Sequence, residues 1–272
     1  MTGRSSGPGP RLLAVGLGAG GTRLAARLAA EDDLPAVALH TDALALEQAA
    51  VPHKLLLGPD VCRGQSTGGD MTLARRATRQ SAEPLRELLE GQDLVFLVCA
   101  LGGGTGGGVA PLVAQTVRAC GGLSLAIVTL PFEFEGGQKM ALAREGLAAL
   151  QEEADAVIVM PNEKLQAAVG NQGGMLASFE AADALLVNCL RALWALIRHA
   201  GPLALDFADL RSLILRGPGL CAIAYGEAAG PDRVTQAVER AFALSVAEGA
   251  DRLATDSGLI AGILGGNDLT LQ

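Results

Sequence analysis

Short, unbroken apolar runs alternate along this chain with longer stretches in which apolar residues recur every three or four positions. The runs Arg11–Gly16, Ala36–His40, Lys54–Leu57, Leu94–Ala100, Leu123–Thr129 and Ala156–Met160 hold four to seven residues each. Runs of that length with no polar alternation read as strands buried on both faces. Between them, Thr22–Glu31, Asp70–Glu90, Val109–Cys120 and Lys139–Glu153 carry helical periodicity. Strands and helices in strict alternation predict a parallel sheet covered on both sides, an α/β fold.

The pattern changes after residue 174. Met175–His199 reads as one long helix with Leu176, Phe179, Leu185, Leu186, Leu190, Leu193, Trp194 and Ile197. Apolar residues lie on more than one side of it, as expected of a helix buried between two layers, and Gly201-Pro202 ends it. A short helix is expected at Asp206–Leu215, then a β-α-β unit: strand Leu220–Tyr225, helix Asp232–Ala247 and strand Leu259–Leu264. Residues 1–10 are rich in Gly, Ser and Pro and read as a disordered tail. The expected layout is therefore a main domain at 11–174, a central helix at 175–200, and a small C-terminal part at 201–272.

Composition narrows the function. Half of the residues are hydrophobic but only 3% are aromatic, so the core must be packed from Ala, Val, Leu and Ile. A net charge of −8 argues against a nucleic-acid partner, which needs a basic surface. Five cysteines without CxxC spacing and three scattered histidines give no disulfide framework and no metal centre. The apolar run Leu12–Leu17 is too short for a signal peptide or a membrane span, so a cytoplasmic protein without direct membrane contact is expected.

Glycine carries the chemistry. The chain has 36 glycines, nearly twice the average of roughly 7%, and they gather in tight clusters. Gly16-Leu17-Gly18-Ala19-Gly20-Gly21 follows a strand, opens a helix, and has Asp42 about twenty residues on. Alone this is a dinucleotide fingerprint, and an NAD-dependent oxidoreductase is the reading it supports. The second cluster, Gly102-Gly103-Gly104-Thr105-Gly106-Gly107-Gly108, has no place in that reading. Each glycine loses roughly 0.5–1 kcal/mol more backbone entropy than alanine, so six in one loop cost on the order of 3–6 kcal/mol. Backbone N–H groups wrapping a di- or triphosphate, with the Thr105 hydroxyl added, account for such a run. No Gly-Lys-Ser/Thr closes it, so it is not a P-loop.

GGGTGGG closely resembles the signature of the FtsZ/tubulin family, GGGTG[ST]G, and further motifs follow in that family's order. Gly16–Arg23, covering Gly18, Ala19, Gly20, Gly21, Thr22 and Arg23, is similar to its first phosphate loop. Thr41-Asp42 is similar to the second, and Ser66–Asp70, with Gly68 and Gly69, to the third, which senses the γ-phosphate. Pro131-Phe132-Glu133-Phe134-Glu135-Gly136 resembles PFxFEG and implies Glu135 on the ribose. Pro161-Asn162-Glu163-Lys164-Leu165 resembles PNDKL and implies Asn162 on guanine. Phe179 matches the base-stacking aromatic, and Asp183 lies where the family reads guanine. Asp206-Phe207-Ala208-Asp209 resembles the synergy loop, whose two carboxylates act on the nucleotide of the adjacent subunit.

The residues keep plainer readings beside these. Asn162 after a proline suits a purine edge or a helix cap; Phe179 could be core and Asp183 a solvated helix residue. Glu135 and Lys139, four apart, could form a helix-start ion pair. Asp206 and Asp209 could simply cap a helix. Arg23 binds phosphate or ribose, or points outward. The chain departs from the family at Ala19, Thr22 and Arg23, where Gly, Gly and Asn are typical, and at Ala204, where Asn is usual. It also ends at Gln272, soon after its last expected strand, so the second domain is expected to be truncated.

The resemblance implies a Rossmann-like parallel-sheet GTPase domain, GTP or GDP as ligand with Mg²⁺ bridging the phosphates, and head-to-tail self-association. It implies hydrolysis at the subunit contact, with Asp206 and Asp209 catalytic. A non-hydrolysing GTP-binding regulator or scaffold is the second reading.

Overall fold

In a computed structural model of the chain, residues 9–31, 34–169, 175–198, 206–216, 219–243 and 258–266 are described. The apolar runs form strands β1 (Leu12–Leu17), β2 (Ala36–His40), β3 (His53–Leu56), β4 (Leu94–Ala100), β5 (Leu123–Leu130) and β6 (Ala156–Pro161). A seventh, β7 (Gly219–Cys221), joins the same sheet. The strand order is β3-β2-β1-β4-β5-β6-β7 and every pairing is parallel.

Because side chains alternate across a strand, each apolar run feeds two cores. Leu12, Ala14, Phe96, Val98, Ile127 and Ile158 face one layer. It holds α1 (Gly18–Glu31), the long helix α9 (Met175–Arg198) and α10 (Phe207–Arg216), through Leu24, Leu28, Leu186, Leu190, Trp194, Leu210 and Ile214. Leu13, Val15, Leu97 and Val157 face the other. There α4 (Met71–Gln80), α5 (Ala82–Leu89), α6 (Gly104–Ala119) and α7 (Gly137–Glu153) pack through Ala74, Leu85, Val113, Val117, Ala143 and Leu150. Shorter helices α2 (Ala43–Gln48), α3 (Pro59–Cys62) and α8 (Asn162–Val169) fill the connections, and α11 (Arg233–Ala243) follows β7. The expected α/β sheet is the observed one.

Several boundaries move for physical reasons. The single helix expected over Asp70–Glu90 is two, broken at Ser81. Pro84 has no N–H for the carbonyl of Gln80, so an unbroken helix would lose that bond. Helix α1 starts at Gly18 rather than Thr22, and α6 at Gly104 rather than near Val109; the glycines of both clusters are first turns as well as loops. The strand expected at Leu220–Tyr225 is shorter and adds to β6, with Ala156 opposite Gly219 and Ile158 opposite Cys221. It covers a sheet edge that would otherwise be open. Residues 258–266 contain no strand, so the two-stranded β-α-β unit is not formed among the described residues. No helix among them is long and apolar enough to cross a membrane.

Candidate functional site

Helices α1 and α6 both start at the C-terminal ends of neighbouring strands, β1 and β4. The strand order turns outward in opposite directions from this pair, which is where open α/β sheets leave a crevice. Gly18, at φ +67, makes the turn out of β1, and a side chain there would come within 3.1 Å of the Gly106 nitrogen. Gly102, at φ +98, makes the turn out of β4 against Pro131 and the Lys139 backbone. Two helix starts with unpaired N–H groups thus converge on one place, an arrangement that favours anions.

The glycines divide into two kinds. A methyl group on Gly20 would stand 2.6 Å from the Ala100 Cβ, and one on Gly21 would collide with the Val98 carbonyl. On α6, Gly107 and Gly108 meet Met71 and Ala74 of α4, with Ala74 Cβ at 2.7 Å from the added carbon. Gly104 is closed by Thr67 and Gly69. These positions are small because backbones approach closely there. The cost of the glycine run is therefore offset in part by helix packing, a correction to reading it wholly as a ligand cradle. Gly103 and Gly68 are different, for nothing lies within 4 Å of where their side chains would be.

Three buried threonines tie the loops together. The Thr105 hydroxyl lies 3.2 Å from that of Thr41 and 3.3 Å from that of Thr67. Thr41 follows β2 and Thr67 precedes α4, so the first turn of α6 is the meeting point of both. His40 supports this corner, with its Nδ1 accepting the Asp42 N–H at 2.8 Å. Burial pushes the His40 pKa down, partly opposed by Asp42. Asp42 caps α2 by accepting from the N–H groups of Leu44 and Ala45. With Asp42 capping and Gly20 and Gly21 packing, the two features behind the NAD reading have structural explanations. Thr67, within the Ser66–Asp70 segment, and His40, at the end of an apolar strand, were given no role of their own in the sequence reading.

Beside the loops lies an aromatic and charged patch. The rings of Phe132 and Phe134 stack with centroids 4.9 Å apart, and Phe179 meets Phe132 edge-on at 4.9 Å. Glu135 accepts from the Phe132 N–H and from Lys139 Nζ at 3.0 Å, so the expected ion pair is present. Glu163 accepts the Glu133 N–H at 2.6 Å and links α8 to this turn. Asn162, half-buried, opens α8 directly after β6. Asp183 on α9 is bound by Arg23 of α1, with Nε to Oδ2 at 2.7 Å and Nη2 to Oδ1 at 3.1 Å. Arg23 thus points at Asp183, and Asp183 is not a freely solvated residue.

One buried polar side-chain atom among the described residues lacks any partner, the Thr22 hydroxyl. It sits on the first turns of α1, so a phosphate or sugar oxygen would complete it. Open space at Gly103 and Gly68 fits the same group. No cluster of three His, Cys, Asp or Glu capable of holding a metal occurs among the described residues, so a Mg²⁺ ion would depend on the phosphates for most of its ligands. Asp206 and Asp209 are exposed at the start of α10, apart from this cluster of contacts. Asp206 accepts the Ala208 N–H at 3.1 Å, which is the capping role. Ala204 lies outside the described residues.

The family model described as "Tubulin/FtsZ family, GTPase domain" matches residues 11–170. The cell division protein FtsZ of Pseudomonas aeruginosa is 36% identical over 259 residues, 94% of this chain and 65% of its own length. FtsZ 1 of Methanocaldococcus jannaschii is 37% identical over 264 residues, 96% of this chain and 71% of its own. Among solved structures, an empty FtsZ dimer of M. jannaschii superimposes with a TM-score of 0.82 at 35% identity, over 88% of this chain and 70% of that one. CetZ2 of Haloferax volcanii, a GTPγS-bound protofilament, gives 0.71 at 25% identity, over 81% of this chain and 67% of that one. The chain spans less than two thirds of the Pseudomonas relative. On the family-model match and these identities, the chain belongs to the tubulin/FtsZ family and carries its GTPase domain between residues 11 and 170.

Proposed function

We propose that this chain binds GTP, associates head to tail with copies of itself, and hydrolyses the nucleotide at the contact between subunits. The observation that carries the reading is the convergence of the 18–23, 41–42, 67–70 and 102–108 segments around Thr105. The backbones of Gly18–Gly21, Gly68, Gly69 and Gly102–Gly108 take the phosphates, with the Thr22, Thr41 and Thr105 hydroxyls as polar partners. Glu135, held by Lys139, takes the ribose beside Pro131. Phe179 stacks on the base, and Asp183 with Asn162 reads guanine through its N–H donors. Mg²⁺ would supply charge neutralisation at the phosphates, with no cluster of acidic or histidine side chains among the described residues to hold it.

Hydrolysis needs a water to attack the γ-phosphorus while its bond to the bridging oxygen breaks, releasing GDP and phosphate. Asp206 and Asp209 are the carboxylates offered to that water, from the chain next along a filament. Their exposure supports this role. The capping bond that Asp206 already makes, together with Ala204, favours the second reading, a GTP-binding scaffold that does not hydrolyse.

Turnover per molecule, measured against protein concentration with Mg²⁺ and with Asp206→Ala as control, separates the readings. A rate near zero below a threshold, rising above it and lost in the variant, is expected. A constant rate per molecule sinks the shared site. Bound GTP without turnover at any concentration makes the chain a nucleotide-gated scaffold.

A further inference from the structure

The Arg23–Asp183 pair is unlike the other ion pairs on this surface. Arg75–Glu145 and Lys139–Glu135 each join one nitrogen to one oxygen, at 3.8 and 3.0 Å, and exposed pairs of this kind contribute little. Arg23 instead grips both oxygens of Asp183 at once, at 2.7 and 3.1 Å. The carboxylate is 13% exposed while the arginine is 57% exposed. Arg27, one turn along α1, stands 3.9 Å from the same oxygen and donates to the Glu180 carbonyl. A two-toothed grip fixes the plane of a carboxylate, which a single contact does not.

Each carboxylate oxygen accepts two hydrogen bonds; the grip takes the inner site of each and leaves two outer sites that point away from one another. Guanine presents two adjacent donors, N1–H and the 2-amino group, and the outer edge of one carboxylate oxygen is what they would meet together. Inosine lacks the amino group. Phe179 lies one turn before Asp183 on the same side of α9, so a stacked base and this carboxylate share one helix face.

Resting on the guanine-nucleotide reading above, we propose that Arg23 is a positioning residue for base recognition: it holds the Asp183 carboxylate in the plane that pairs with guanine. The same arginine is the last residue of the first phosphate loop. Base reading on α9 and phosphate binding on α1 are thereby mechanically joined.

Equilibrium affinities for GTP and ITP, measured on the nucleotide-free chain, Arg23→Gln and Arg23→Lys, test this. The unaltered chain is expected to favour GTP by about ten- to a hundredfold, the usual value of one hydrogen bond to a charged group. In Arg23→Gln the ratio is expected to fall to about threefold or less, mainly through weaker GTP binding. Arg23→Lys keeps the charge but not the fork and is expected to resemble it. An unchanged ratio in Arg23→Gln overturns the inference. So do equal losses for both nucleotides, which mark a phosphate ligand, and full recovery in Arg23→Lys, which makes charge alone sufficient. If the unaltered chain binds both nucleotides equally, the inference falls while nucleotide binding stands; if it binds neither, both fall.

Discussion

The hydroxyl oxygens of Thr41 and Thr105 lie 3.2 Å apart, although 64 residues separate them along the chain. This contact joins the end of β2 to the start of α6 across the top of β1, and Thr67 attaches to the same oxygen from a third segment. Thr105→Val keeps the shape and removes the shared hydroxyl. We expect nucleotide affinity to fall at least tenfold and stability by about 1–3 kcal/mol, the cost of stranding buried polar partners. Calorimetric binding and denaturant unfolding read the two effects separately.

The two kinds of glycine give opposite outcomes. Gly108→Ala forces a methyl group within 2.7 Å of Ala74 Cβ and of the Met71 carbonyl, so α6 and α4 must move apart. A loss of about 1–3 kcal/mol is expected, as for other overpacked contacts. Gly103→Ala meets nothing and should leave unfolding unchanged while weakening nucleotide binding. Equal destabilisation by both would refute the division.

His40 makes stability depend on pH. Its pKa is held below 6.5, chiefly by burial and against the pull of Asp42. The unfolded chain takes up a proton near 6.5 while the folded chain resists it. The contribution of neutral His40 is therefore complete above that value and is lost as pH falls through 6.5 towards the folded pKa. Protonation also removes the Nδ1 lone pair that accepts the Asp42 N–H. Melting temperatures of the unaltered chain and His40→Asn between about pH 8 and pH 5 should converge at the acid end. Parallel curves would exclude His40.

Ser81 marks the break between α4 and α5, and its buried hydroxyl oxygen accepts the Gly58 N–H at 2.9 Å. Ser81→Ala strands that N–H. Stability should fall by about 1–3 kcal/mol with nucleotide affinity unaltered, checked by urea unfolding beside GTP titration.

The strands were legible because each is buried on both faces, so no polar alternation blurred the runs. Leu94–Ala100 and Ala36–His40 were read with the bounds they have. The break at Ser81 was missed because helical periodicity in Asp70–Glu90 outweighed a single Pro84. The glycine clusters were found as motifs, yet their packing role was hidden, since which glycine faces a helix and which faces open space depends on α4 and α7. The same holds for Arg23 and Asp183, whose separation of 160 residues no local pattern bridges.

A count of protons in the threonine cluster has a consequence for what it can hold. Three hydroxyls carry three hydrogens, and the two links among them use two. One hydrogen always remains to be offered outward, whichever way the links are oriented. The cluster thus always keeps one donor to spare, without any formal charge. An oxyanion beside Thr105 would accept that last hydrogen and polarise the other two bonds in turn, so that its arrival is felt at once at the ends of β2 and of the 67–70 turn.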